Sequence, residues 1–522
     1  MRSRAFTALL CALVALVVAL AAKGEERSLP PPAPVPDEVG RLDEMLASKW
    51  KASSVEPAPR AEPLTVLRRL SLALFGQSPS LEEIRRFEAD GSPDRLARWT
   101  HAMLEDARFH RYWAERLSRA WVGAERGPFI VFRRDRFDEW LAGELAKNTP
   151  YDAVVRQVVS AEGTWTGEPA ANFVTSAVAN REVDSDKLTG RTMRVFLGQR
   201  LECAQCHDHP FAPWTQQQFD GVKAFFDRTD VSALGVTTRA PGEAKRERGA
   251  MNTRASSSGA PSVPYGLEWL PAGGSPRLRL AAWLTDAHNV NLSRAMVNRA
   301  WALMYGRPLH EPVDDLPALG EEPVLDALAE DFASHGHDLR RLVTTLALAQ
   351  AFSLESRELG ADEKNVWAAY PVTPLRPEQV VGALLQAGSV RSIDRDRHLV
   401  VRAVRLLREK AFIDEYGDPG EAELTPQADT VARALFRMNG KLPDDVLKAE
   451  PFSTTGRVAM VAKGDDEALD ALWLSYLTRR PTEEEAQKVR PMLAGLKGDE
   501  RGKALADVAW GLFNSSEFSW SH

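Results

Sequence analysis

Helical periodicity governs this chain from Asp37 to its C-terminus and excludes fold classes built on large sheets. One helix face carries apolar side chains at helical spacing, at Leu64, Leu67, Leu70, Leu74 and Phe75. Ser80 followed by Glu83 is typical of a capping box that begins the next helix. The same reasoning predicts helices at about 93–107, 109–123, 134–147, 151–161 and 186–200. Since no set of strongly alternating strands is present, we predict a mainly α, multi-helical fold.

The length and a change in composition predict two domains. A chain of 522 residues is longer than most single domains. From Thr229 to Pro276 the sequence is rich in Gly, Pro, Ser and Arg, which is typical of a linker or a mobile loop. We therefore expect a helical domain at 37–228, a long irregular connection at 229–276, and a second helical domain at 277–522.

The N-terminus has the pattern of an export signal. Arg2 and Arg4 precede an uncharged, mostly apolar run at 5–22 that ends in small residues, which predicts a signal peptide at 1–22. The run at 5–22 is also long enough to remain as a membrane anchor. Five prolines then make 23–36 a stiff, extended spacer. We expect an exported protein, either periplasmic or at the cell surface.

Charge and motifs exclude several classes of function. The formal net charge of −7 offers no basic face for nucleic acid. The sequence also lacks a P-loop, a G-x-S-x-G elbow and an H-E-x-x-H zinc motif. No enzyme class is therefore indicated, and we expect no nucleic-acid partner.

One short motif carries recognisable cofactor chemistry. Cys203, Cys206 and His207 form C-x-x-C-H, the attachment signature of a c-type haem. Two thiols three positions apart bond to the haem, and the adjacent imidazole becomes the proximal iron ligand. The chain has only three cysteines, so this grouping is informative. Candidates for a second axial ligand are Met193, Met251, His288, Met296 and Met304.

Two other interpretations of the motif remain open at this point. Cys203 and Cys206 could form a disulfide, which an oxidising compartment favours. Zinc could instead take Cys203, Cys206 and His209, although the spacing supplies no fourth ligand. Haem c predicts electron transfer or redox sensing with an unidentified redox partner. A disulfide predicts a non-redox scaffold or interaction protein with no cofactor, and a Cys/His metal cluster predicts a metal-dependent hydrolase.

Two further polar groups have structural interpretations. Gly336 between His335 and His337 is typical of a helix C-cap, with both imidazoles exposed. In the second half of the chain, Asn298, Arg299, Asp314 and Asp315 are typical of a buried network or a loop anchor.

Several motifs together resemble a known family. The first half carries Leu67–Leu70, Pro79–Glu83, Leu197–Gly198 and Cys203–Phe211, and resembles the planctomycete cytochrome-like family, domain of unknown function fifteen forty-nine. The second half resembles its usual C-terminal partner, numbered fifteen fifty-three, at Leu280–Thr285, Val297–Trp301, Tyr305–Arg307, Asp314–Leu316, Leu477–Thr482 and Phe513–Phe518. The resemblance implies an exported protein with a cytochrome-type motif and an undefined biochemical role. The separate C-x-x-C-H domain that often precedes this pair is missing, so the resemblance does not imply an electron path through two haems.

Overall fold

A computed structural model describes most of the chain. The described residues are 31, 34–124, 132–179, 182–232, 234–240, 259–357, 360, 366–392, 399–418, 420, 424, 430–451 and 453–522. The predicted signal peptide at 1–22 and most of the spacer at 23–36 lie outside them. Within the described part of the chain, no helix has the length and apolar character needed to cross a membrane.

The described elements are almost all helices, which confirms the mainly α prediction. The helices of the first half are α1 Glu38–Ala52, α2 Pro63–Phe75, α3 Leu81–Ala89, α4 Arg95–Leu104, α5 Ala107–Val122, α6 Arg134–Ala146, α7 Tyr151–Ser160, α8 Asn172–Thr175, α9 Ser185–Leu197 and α10 Gln216–Lys223. Those of the second half are α11 Pro276–Leu284, α12 Val290–Tyr305, α13 Pro323–Ser334, α14 Leu339–Leu348, α15 Pro377–Ala387, α16 Leu399–Tyr416, α17 Val431–Asn439, α18 Lys441–Leu447, α19 Thr454–Val461, α20 Asp465–Leu477, α21 Glu483–Leu493, α22 Gly498–Phe513 and α23 Ser516–Ser519.

Short 3₁₀ helices and strands complete the described structure. The 3₁₀ helices are Pro169–Ala171, Glu202–Gln205, Leu267–Trp269 and Gln350–Ser353. The strands form three antiparallel pairs: β1 Val178–Ala179 with β2 Glu182–Val183, β3 Thr229–Ser232 with β4 Gly235–Thr238, and β5 Thr373–Pro374 with β6 Trp520–Ser521.

Capping boxes begin one helix in the first half of the chain and one in the second half. Ser80 Oγ accepts a hydrogen bond from Glu83 N at 3.2 Å, and Glu83 Oε2 accepts one from Ser80 N at 2.9 Å. Thr482 and Glu485 repeat this reciprocal arrangement at the start of α21. The predicted capping box at Ser80 is therefore confirmed, and it begins α3.

Two hydrophobic cores organise the helices, and they do not divide the chain at 229–276. The first core takes residues from both sides of that stretch, such as Trp121, Phe196, Trp283 and Trp301. The second core consists mainly of residues 375–518, joined by apolar side chains of α2 and α3 and by Trp99 of α4. Among the described buried hydrophobic residues beyond Tyr370, Leu424 belongs to the first core and the others belong to the second.

The described parts of the predicted connection at 229–276 contain some regular structure. In its described parts, β3 and β4 form a hairpin whose Val236 is fully buried, and Gly163 N donates to Val236 O at 2.8 Å. Tyr265 and Trp269 pack against the first core. These few apolar and aromatic side chains hold the described parts of 229–276 in place, because burying them offsets part of the entropy lost. Residues 241–258 lie outside the described residues.

Candidate cofactor site

The C-x-x-C-H motif lies on a short turn between two helices. Helix α9 ends at Leu197, where Gly198 adopts the left-handed conformation with φ 61°. The motif follows in the 3₁₀ helix Glu202–Gln205, and Thr215 then caps α10 by accepting from Gln218 N. Leu316 N donates to Gly198 O at 2.8 Å, so a loop from the second half of the chain supports the turn.

Both thiols of the motif lie on the solvent side of the turn. Cys203 lies in the 3₁₀ helix and Cys206 directly follows it, and both are exposed and free. Between them, Ala204 is fully buried and fixes the turn to the core.

Hydrogen bonding decides the tautomer of His207. Its Nδ1 lies 2.7 Å from the carbonyl oxygen of Asp208. A carbonyl oxygen can only accept, so Nδ1 carries the proton and Nε2 of the neutral ring has the free lone pair. Asp208 is itself fixed, because its Oδ1 accepts from Gln216 N at 2.8 Å. The exposed His207 ring therefore has the orientation that metal-binding imidazoles usually have.

His209 has the opposite tautomer and a different role. Phe211 N donates to His209 Nδ1 at 3.1 Å, so this nitrogen holds the lone pair and Nε2 carries the proton. His209 N also donates to Trp214 O at 2.7 Å, which closes the turn. The Nδ1 lone pair, which a zinc ion would need, already accepts the hydrogen bond from Phe211 N.

The zinc ligand set is not assembled in the structure. Among the described residues, no group of three or more His, Cys, Asp or Glu side chains lies close enough to hold a metal ion. Cys203, Cys206 and His209 are all described and so fall within this finding. Although these three residues are close in sequence, their side chains do not converge on one point in space.

Charged side chains surround the N-terminal side of the motif. Arg200 Nη2 lies 2.5 Å from Asp314 Oδ1, and Arg194 Nε lies 3.6 Å from both Asp314 and Glu202. Burial raises the pKa of Glu202, against the effect of the nearby arginines. These ion pairs join the approach to the motif to the loop that carries Asp314.

The donor set fits covalent haem attachment. Two exposed thiols lie three residues apart on one short turn, and the neighbouring imidazole presents a free Nε2 lone pair. Phe211, four residues after His207, is 95% exposed, and an aromatic ring this exposed is a ready apolar contact for a cofactor or a partner.

Comparison with known proteins places the chain. Residues 41–231 match the family model PSCyt2, described as a protein of unknown function (DUF1549). Residues 276–396 match PSD1, described as a protein of unknown function (DUF1553). These two matches agree with the families that the sequence motifs resemble, the first over 41–231 and the second over 276–396. The comparison with curated proteins gives no match, and neither does the comparison with solved structures.

The candidates for a second axial ligand lie in different environments. Met193, in the PSCyt2 segment, and Met296 and Met304, in the PSD1 segment, are buried in the first core. Met251 lies outside the described residues. His288 is exposed, its Nδ1 lies 2.8 Å from Asp286 Oδ1, and its ring stacks on Trp269. The three buried methionines are therefore core residues.

Asn298 of the PSD1 segment is a loop anchor, as predicted. Its Nδ2 donates to His310 O at 2.9 Å and to Val313 O at 3.1 Å, while its Oδ1 accepts from His310 N at 3.0 Å. The side chain is fully buried. Asn298 thereby fixes the loop that presents Asp314 to Arg200.

The prediction that both imidazoles are exposed is confirmed for His335 and is wrong for His337. Helix α13 does end here, with Gly336 at φ 68°, and His335 is exposed. His337, however, is partly buried: its Nε2 lies 3.1 Å from Ser293 Oγ, and its Nδ1 lies 3.6 Å from Asp152 Oδ1. Ser293 and Asp152 come from distant helices, so no local pattern could have indicated them.

The Ser293–His337–Asp152 contact joins two helices to a turn. Ser293 lies in α12, Asp152 in α7, and His337 between α13 and α14. Ser293 is only 2% exposed, so a substrate has no access to its hydroxyl. We therefore interpret the three side chains as a structural contact that holds α7, α12 and the turn together.

Proposed function

We propose that the protein carries one haem c on Cys203 and Cys206, with His207 as the proximal iron ligand, and that it transfers electrons or senses redox state outside the cytoplasm. The observation that supports this most is the His207 tautomer: Nδ1 is bonded to Asp208 O at 2.7 Å, which leaves Nε2 available. The fixed imidazole lies directly beside two exposed thiols.

The chain's own residues have separate tasks in this proposal. The exposed thiols of Cys203 and Cys206 are accessible to the machinery that forms thioether bonds. Asp208, held by Gln216 N, orients the His207 imidazole. The haem, when bound, supplies reversible one-electron exchange at its iron. Phe211 provides an apolar surface next to the attachment turn.

The partner in this proposal is a redox protein in the same compartment. The export pattern at 1–22 supports a periplasmic or cell-surface location, because haem attachment to C-x-x-C-H takes place outside the cytoplasm. Residues 5–22 either leave with the signal peptide or anchor the protein to the membrane. The negative net charge argues against a nucleic-acid partner.

Expression of the full chain in a host with c-type maturation machinery tests the proposal. We expect a pyridine haemochrome band that survives acid–acetone extraction, because thioether bonds are covalent. C203S and C206S should each weaken attachment, and H207A should shift the spectrum of any haem that remains attached. H209Q is the matched control: it removes a neighbouring imidazole whose lone pair the loop already uses, and it should keep both haem and spectrum.

A structural disulfide is the second candidate, and one observation favours it. Cys203 lies in the 3₁₀ helix and Cys206 directly follows it, so two exposed thiols are three residues apart on one short turn. A colourless protein from that host, with the two cysteines linked in mass spectra, would reject the haem. The protein would then be a scaffold or interaction protein whose cysteines staple the turn.

A further inference from the structure

A cavity lies where the two hydrophobic cores meet, away from the C-x-x-C-H turn. Its volume is about 70 Å³, well above the roughly 10–15 Å³ that one water molecule needs. The walls come from α2, the end of α12, residues 370–379, α17 and β6. The cavity is therefore large enough for an ion of a few heavy atoms.

Three arginines from separate elements line this cavity. Arg69 lies in α2, Arg376 precedes α15, and Arg433 lies in α17. No Asp or Glu is among the described residues that line it. Most of the remaining wall is apolar, with Leu303 and Met304 as examples. A cavity of this composition favours a negatively charged ligand.

Arg69 is fixed and remains charged. Its Nη1 donates to Phe352 O at 2.9 Å and to Leu354 O at 2.6 Å, and its guanidinium stacks on the Tyr370 ring at 3.8 Å. Burial lowers the pKa of Arg69 to about 10, so the group is still a cation at neutral pH. Because the Arg69 side chain is already fixed, ligand binding would lose little further side-chain entropy.

Arg376 lies at the start of a helix, and an ion pair with Glu378 offsets part of its charge. It precedes α15, an 11-residue helix whose first residue, Pro377, also lines the cavity. Arg376 Nε donates to Glu378 Oε1 at 2.7 Å, and Nη2 donates to the Tyr112 hydroxyl at 2.5 Å. The guanidinium is thus held beside the positive end of the helix dipole, which favours anions.

Arg433, in α17, is the third arginine that lines the cavity. It is partly buried, its Nε donates to Tyr416 O at 3.1 Å, and its Nη2 donates to Gly417 O at 3.2 Å.

We propose that the cavity binds a small oxyanion, the carboxylate or phosphate group of a ligand, between Arg69, Arg376 and Arg433. This site is independent of the haem proposal, because it shares no residue with the C-x-x-C-H turn.

Calorimetric titration of the full chain with inorganic phosphate and, separately, with acetate tests the site. Chloride at equal ionic strength is the reference, and the anion that binds identifies the chemistry. We expect saturable binding of at least one of the two. R433Q should weaken that binding at least fivefold, since planar guanidinium groups pair oxyanions through two donors. R457Q, which removes an exposed arginine of α19 that does not line the cavity, should bind as the wild type does.

Circular dichroism checks that R433Q is folded. If it is not, R433K replaces it, and we expect at least threefold weaker binding because lysine lacks the planar fork. Wild-type protein that binds neither anion, or an arginine variant with wild-type affinity, would overturn the proposal.

Discussion

Gly198 and Leu316 are in direct contact where the PSCyt2 and PSD1 segments meet beside the C-x-x-C-H turn. Leu316 N donates to Gly198 O at 2.8 Å, and a Cβ placed on Gly198 would lie 2.4 Å from Leu316 Cγ. Gly198 also has a left-handed φ of 61°. The approach to the motif therefore requires glycine for two reasons, conformation and space.

We expect G198A to destabilise the protein more than G336A does. Gly336 has a similar φ of 68° but no atom within 4 Å of its Cβ position, so it isolates the conformational cost. That cost is about 1 kcal/mol, and the collision with Leu316 should add about 1–3 kcal/mol in G198A. Denaturant unfolding of the two variants measures the difference. Equal losses would show that Leu316 does not confine Gly198.

The buried ion pair between Glu83 and Arg108 should be a major contributor to stability. Arg108 Nη2 lies 2.7 Å from Glu83 Oε1. Burial alone would raise the pKa of Glu83, but Arg108 and Ser80 outweigh it and hold that pKa below its usual range. E83Q should cost about 3 kcal/mol, the lower end for a broken buried pair, because Asp106 still pairs with Arg108.

The same pair should make stability depend on acid pH. Since the pKa of Glu83 is lower in the folded state, its contribution is complete above the unfolded value and is lost as the pH falls through the folded value. Unfolding curves between pH 7 and pH 3 should therefore converge for wild type and E83Q. E82Q, on the exposed side of the same turn, should follow the wild type throughout.

His337 should destabilise the fold in weak acid. Burial lowers its pKa, and Asp152 only partly opposes this. Below the unfolded value the unfolded chain binds more protons than the folded one, so stability falls as the pH falls from about 6.5. H337N should remove this part of the pH dependence, and asparagine tolerates the left-handed φ of 55°.

Thermal unfolding between pH 7.5 and pH 5 compares these variants. H335N is the control, since it removes the exposed imidazole two residues earlier and leaves the contact with Ser293 intact. S293A should cost about 1 kcal/mol at pH 7.5 through the lost hydrogen bond. A pH profile that H337N leaves unchanged would contradict the assignment to His337.

Asp138 should make stability depend on pH in the opposite direction to Glu83 and His337. Burial raises its pKa to about 7, in spite of Arg134 at 3.6 Å. The folded state then holds a proton that the unfolded state releases, so this group costs stability as the pH rises from about 4 to 7. D138N should therefore be more stable than wild type at pH 8, by about 2 kcal/mol, because 28% side-chain exposure reduces the full effect.

The difference between D138N and wild type should become small near pH 4, where Asp138 is protonated in the folded state and about half protonated in the unfolded chain. D135N, on an exposed carboxylate of the same helix, should not be stabilised at pH 8. Denaturant unfolding at pH 4, 6 and 8 measures both variants. A D138N protein less stable than wild type at pH 8 would show that Asp138 is charged and well paired in the fold.

The sequence by itself determined the local structure of this protein. Helices predicted at 109–123, 134–147 and 151–161 are observed at Ala107–Val122, Arg134–Ala146 and Tyr151–Ser160. The Ser80 capping box could be recognised because both of its partners lie within one turn. The C-x-x-C-H motif was visible for the same reason: its chemistry lies in adjacent residues.

Tertiary structure alone decided what depends on residues far apart in the chain. Which residues share a hydrophobic core depends on which apolar faces pack together: the first core takes residues from both sides of 229–276, and the second joins residues 375–518 to α2, α3 and Trp99. The partners of His337 come from two other helices, and the three arginines of the cavity come from three separate elements. Periodicity shows that a helix has an apolar face, but only packing determines which face it meets and which polar groups are brought together.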